Sequence, residues 1–128
     1  MSISPFSTIA DLASALRARR TTSVELTKLY LARLDTIGRR FNAVVTLLTD
    51  AALAEARQAD EELAAGRDRG PLHGIPYGAK DLLAGVGAPT TWGAPPLADQ
   101  RFDVDATAVR KLRAAGAVLV GKLAMVEL

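Results

Sequence analysis

Apolar positions in the first part of the chain recur at helical spacing. Ile9, Leu12, Ala13 and Leu16 fall at i, i+3, i+4 and i+7, just after Thr8, which stands three residues before Asp11 as a plausible cap. A second stripe, Leu26, Leu29, Tyr30, Leu34 and Ile37, follows the better capping box of Thr22 with Glu25, and Gly38 is placed to stop it. The segment from Phe41 to Leu48 is β-branched and apolar enough for a strand, with a helical turn as the alternative. A third helix is predicted beyond it, capped by Asp50, with Ala52, Ala56, Ala59 and Leu63 on one face and Gly66 as its end.

From Pro71 the pattern changes. Glycine and proline become frequent, so residues 71–100 predict loops and short strands. Asp103 or Asp105 is placed to cap a helix through Ala115, Gly116 closes it, and Ala117 to Val120 reads as a buried strand. Helix, glycine and buried strand make up the αβ half of a βαβ unit, which requires a parallel or mixed sheet. The fold class predicted is α/β, within one domain. A mainly helical section, 1–70, leads into 71–128, the first strands and helices of a large mixed β-sheet.

Composition narrows the function classes. The 128 residues are 49% hydrophobic and 23% charged with a formal charge of +2, globular values without the bias of a disordered or fibrous chain. The absence of cysteine excludes disulfides and thiolate metal sites from this chain and suits a reducing, cytoplasmic setting. No basic stretch leads into an apolar core at the N-terminus, and the longest apolar runs are about four residues, so neither a leader nor a membrane partner is expected. Arg17, Arg19, Arg20, Arg39 and Arg40 follow helical segments, where cations complement the dipole, and no aromatic interleaving supports nucleic-acid binding.

Several motifs imitate sites. Gly116 to Lys122 matches the first seven positions of a phosphate-binding loop, but Leu123 replaces the magnesium-binding hydroxyl and the interior is a hydrophobic run suited to a strand. Gly85-Val86-Gly87 lacks the third glycine of a dinucleotide fingerprint. His73 is the only histidine, which rules out a two-histidine metal site within this sequence and favours a structural hydrogen-bonding role. Asp99, Asp103 and Asp105 lack calcium-loop spacing, and Asp81 and Glu127 lie far apart without marking an acid–base pair. Tyr77 and Trp92 are assigned to core packing ahead of an acyl pocket. Lys80 follows an unusually apolar segment; a lysine works as a base near neutral pH only where burial or nearby cations lower its value from about 10.4.

Four segments stand in order: Gly74-Ile75-Pro76 with Lys80-Asp81, then Pro89-Thr90-Thr91, Asp105-Ala106 opening a helix, and Ala115-Gly116-Ala117-Val118 running on to Gly121-Lys122. Together they resemble the amidase signature family. The resemblance implies that Lys80 is a catalytic base, accepting a proton from a bridging serine held in a cis peptide, which in turn activates a nucleophilic serine. The nucleophile attacks a carboxylic amide, ammonia or an amine departs, and water resolves the acyl-enzyme. A small-molecule amide substrate is implied, with no metal and no organic cofactor. The serines here are Ser2, Ser4, Ser7, Ser14 and Ser23, none in a Gly/Ser-rich setting, whereas the family's pair lies beyond the Gly-Lys segment. The expectation is therefore an N-terminal piece of a longer amidase, inert alone and needing the remaining chain for a complete fold. The rival is a truncated, non-catalytic remnant or interaction module. A subordinate reading places the chain in the A subunit of an aminoacyl-tRNA amidotransferase. Against it, Leu123-Ala124 replaces the Thr-Asn of many relatives, while Met125 and Glu127 are kept.

Overall fold

The computed structural model describes residues 3–126. Four helices, α1 (Ile9–Arg17), α2 (Ser23–Arg33), α3 (Thr49–Ala64) and α4 (Thr107–Ala114), accompany three strands, β1 (Val44–Leu47), β2 (Pro76–Lys80) and β3 (Val118–Leu123). The sheet order is β1-β3-β2, with β1 antiparallel and β2 parallel to β3. The predicted mixed α/β class is the one observed, and its central strand is the last in sequence.

The first two helices begin as their sequences dictate. Thr8 accepts the Asp11 backbone N–H while Asp11 reaches back to the Thr8 N–H, and Thr22 and Glu25 repeat the arrangement. Gly38 is not the stop. A π-helical turn over Leu34–Gly38 carries α2 onward, and the left-handed residue is Asn42, at φ 51°. Ile37 consequently points outward at 40% exposure, while Leu31 takes the buried place. Asp50 does not cap α3 either: it sits in the first turn, and the N-cap is Leu48 with no side-chain bond. Ala106 precedes α4 without a side-chain cap, because Asp105 is committed elsewhere, accepting from the Val86 N–H at 2.8 Å and the Arg113 guanidinium at 3.0 Å.

Side-chain alternation along β3 explains the layers. Val118 and Val120 pack with Leu31, Ala52 and Ala56 of α2 and α3, whereas Leu119 faces Ala79 and Val109 of β2 and α4. A strand covered on both faces must be apolar throughout, which is why Ala117 to Val120 shows no period-two pattern. Gly121 lets β1 approach: a Cβ there would stand 2.8 Å from the Thr46 carbonyl oxygen. A second cluster joins Leu12, Ala13 and Leu16 of α1 to Leu26 and Ile75, and the buried Ser23 hydroxyl donates to the Gly74 carbonyl at 2.8 Å.

His73 has the structural role its isolation suggested. Its Nδ1 accepts the Arg69 backbone N–H at 3.1 Å, so the neutral ring carries its proton on Nε2, which lies 3.1 Å from Glu62 Oε2. The imidazole is packed over Gly116, whose φ of +79° and lack of a Cβ both matter: an added Cβ would meet His73 Cδ2 at 2.3 Å. Burial is the largest influence on this imidazole and pushes it below its ordinary 6.5, outweighing the Glu62 charge. Glu62 is held at about 2, chiefly by its hydrogen bond from Arg69.

The sign of the linkage is fixed by these directions. Below about 6.5 the unfolded chain takes up a proton at His73 that the folded chain resists, so the contribution is complete above that pH and is lost as pH falls toward the lowered folded value. Urea denaturation between about pH 6.5 and 5 is expected to show stability falling with pH, and His73→Gln to flatten that slope.

Candidate active site

The sequence places Pro76-Tyr77-Gly78-Ala79-Lys80 in a strand that ends at its lysine. Its parallel register with β3 sets Ala79 opposite Lys122 and Lys80 opposite Leu123. Both lysines therefore stand at the carboxyl ends of neighbouring parallel strands, the edge of an α/β sheet where ligand sites form. Alternation separates their environments. Ala79 and Asp81 are buried and Lys80 between them is exposed, its ammonium without a hydrogen-bond or ion-pair partner among the described residues.

Lys122 has the opposite surroundings. It and Asp81 are both fully buried, with Nζ 3.2 Å from Asp81 Oδ1. The ammonium also donates to Thr90 Oγ1 at 3.0 Å and to the Pro89 carbonyl at 3.2 Å. Asp81 Oδ2 accepts from the Thr91 backbone N–H at 3.1 Å and from the Thr91 hydroxyl, whereas Oδ1 makes no aligned hydrogen bond, so the contact with Lys122 is an ion pair by charge and distance. Thr90 is anchored in turn: its N–H donates to Gln100 O at 2.8 Å, and Gln100 Nε2 donates to Thr90 O at 2.9 Å.

Structure thus brings together two segments that were separate motifs in sequence, Lys80-Asp81 and Pro89-Thr90-Thr91, and adds Lys122. The sequence assigns Lys122 no role of its own: it ends a family-like segment and a false phosphate loop. Its signal was available: a lysine continuing a wholly apolar strand must either surface or find a buried anion. The phosphate-loop reading fails as expected, because Val118 to Lys122 are strand and buried.

Tyr77 is part-buried beside Ala79, Val109 and Leu119, and burial is the main cause that raises its phenol to about 12. Trp92 takes a left-handed φ of 52° and lies 37% exposed, its ring 6.0 Å from that of Phe102. Beside Thr91 an open cleft of about 330 Å³ is lined by Val45, Ala94, Pro95, Ala124 and Met125. A second cleft, of about 270 Å³, is bordered by Glu55, Glu62, Arg69, His73 and Arg113 and by neither lysine; its arginines are already paired with its glutamates. Of the candidate arginines, Arg17 is tied to Asp68 at 2.7 Å and Arg39 to Asp35 at 2.5 Å. Among the described residues no helix is long and apolar enough to cross a membrane. Ser2 and Glu127 lie outside the described residues.

Residues 25–128 match the family model described as Amidase, and the chain belongs to that family. It is 43% identical over 119 residues to the "Putative amidase AmiD" of Mycobacterium tuberculosis, covering 93% of this chain and 25% of the relative. Over 116 residues it is 47% identical to the A subunit of the glutamyl-tRNA(Gln) amidotransferase of Chloroflexus aurantiacus, covering 91% and 24% respectively. The peptide amidase of Stenotrophomonas maltophilia superposes with a TM-score of 0.90 at 40% identity, over 96% of this chain and 26% of that one. The chain is an N-terminal amidase segment that spans about a quarter of the length of these relatives.

Removing one partner of the buried pair is expected to be costly. Lys122→Met, which strands the Asp81 carboxylate, should lose about 3–5 kcal/mol in urea unfolding, and adding Asp81→Leu should recover most of it.

Proposed function

We propose that this chain is the N-terminal part of one amidase domain, in which Lys80 is the base of a Ser-cisSer-Lys triad acting on small-molecule carboxylic amides. Residues 1–70 form its mainly helical section and 71–128 the start of its α/β core. The observation that carries the reading is the place of Lys80: the last residue of β2, in parallel register with β3 and without a side-chain partner among the described residues, in a chain of the amidase family; the burial a lysine base requires comes, in this reading, from polypeptide outside this sequence. A base needs its side chain free to meet the group it deprotonates, and its backbone held so that the approach is reproducible. Lys122 has neither freedom nor access.

The bridging and nucleophilic serines come, in this reading, from polypeptide outside this sequence. Ser23 is buried against Gly74, and the segment alone is inert. Neither nucleic acid, a membrane nor a cofactor enters the scheme, and the cytoplasm is the proposed location.

A second reading is supported by the relatives named as A subunits of glutamyl-tRNA(Gln) amidotransferases. In it the same lysine works in an enzyme assembled with companion subunits, with ammonia released for transfer rather than lost. The replacement of Thr-Asn by Leu123-Ala124 favours the simple hydrolase. Co-purification of the full-length protein with such companion subunits separates the two.

In the full-length protein, Lys80→Ala is expected to lower ammonia release from a panel of primary carboxamides by at least the roughly 10²–10⁴-fold contributed by a general base. An undiminished rate sinks the assignment.

A further inference from the structure

We propose that the buried Lys122–Asp81 pair, with Thr91, is a positioning device for Lys80. The inference rests on the reading of Lys80 as the base and goes beyond it by naming the residues that aim it.

Two charges taken wholly out of water lose hydration that their attraction barely repays, so apolar residues of similar size would hold β2 to β3 at least as firmly. What an ion pair adds over apolar packing is direction. Asp81 follows Lys80 directly, and its backbone N–H, its carbonyl and its carboxylate are each tied to another segment. Its N–H donates to the Leu123 carbonyl at 2.9 Å and its carbonyl accepts from the Trp92 N–H at 3.3 Å. Its carboxylate joins Lys122 on β3 to Thr91 on the following loop. On Lys80 itself the carbonyl accepts the Leu83 N–H at 2.9 Å.

The chain leaving β2 is therefore fixed to two separate segments within one residue of the base. Alternation then turns the side chains of Ala79 and Asp81 inward and sends Lys80 outward. Without the Asp81 anchor, the end of the strand can untwist about the Lys80 backbone, and a displacement of about 1 Å at a catalytic group costs on the order of 100-fold in rate. Lys122 and Asp81 touch no substrate in this scheme; they act through Lys80.

The test uses the full-length enzyme and a probe that needs no knowledge of its natural amide, an alkyl fluorophosphonate. Labelling forms a bond from the serine oxygen to phosphorus, fluoride leaves with the electrons of the P–F bond, and the serine proton passes by way of the bridging serine to Lys80. The labelling rate thus reports how well the base is placed. Lys80→Ala is the control; if it labels at the parental rate, the base assignment has failed.

With that control abolished, Lys122→Met combined with Asp81→Leu is expected to unfold near the parental temperature and yet label about 100-fold more slowly. Thr91→Val, which keeps the ion pair and deletes the hydroxyl's charge-assisted hydrogen bond to Asp81 together with the one it accepts from the Gly93 N–H, is expected to slow labelling on the order of tenfold, and Thr91→Ser to restore most of it. Folded double and Thr91→Val variants that label at the parental rate would overturn the positioning role while leaving Lys80 as the base. Should the double variant fail to fold, the Thr91 pair decides the question.

Discussion

Burial of β3 from Val118 to Lys122 is the constraint from which the rest of the structure follows. A central strand flanked in the sheet by β1 and β2, and covered by α2 and α3 on one face and by α4 on the other, has no room for an unpaired polar group. Lys122 breaks that rule within the strand, and the fold answers with Asp81, Thr90 and the Pro89 carbonyl. Satisfying one ammonium therefore dictates where β2 must end and where the loop of residues 89–92 must pass.

This arrangement gives the two lysines different work although they are near neighbours across one ladder. The buried one is spent on holding segments together. The exposed one, a single position beyond it in register, has a rigid backbone and a free head group. A rigid element beneath the functional side chain is what a site needs when its reaction partners arrive from elsewhere in the polypeptide. An amidase segment about a quarter the length of its relatives thus holds one of the three residues of the proposed triad, on a strand end fixed by its own hydrogen bonds.

Elements governed by local chemistry were legible before any coordinates. Both capping boxes formed as spaced, the apolar run at Ala117 to Val120 became the central strand, and Gly66 and Gly116 took the positive φ that ends a helix. Errors fell where a tertiary partner outbid a local one. Asp105 was free in sequence to cap α4, but Arg113 and the Val86 N–H hold it more strongly. Gly38 was spaced to stop α2, yet its lack of a Cβ serves close packing, since one there would meet Val44 Cγ2 at 2.9 Å.

The sequence by itself determined the helix starts, the class of sheet, the family-like order of motifs and Lys80 as the residue of interest, because each depends on neighbours a few positions away or on a motif's spacing. Only the tertiary structure decided that Lys122 is buried, that Asp81 is its counterion, and that Thr91 supports Asp81 while Thr90 supports Lys122. Those contacts close loops of 10 to 41 residues, and nothing in local propensity encodes which distant anion a buried cation will meet.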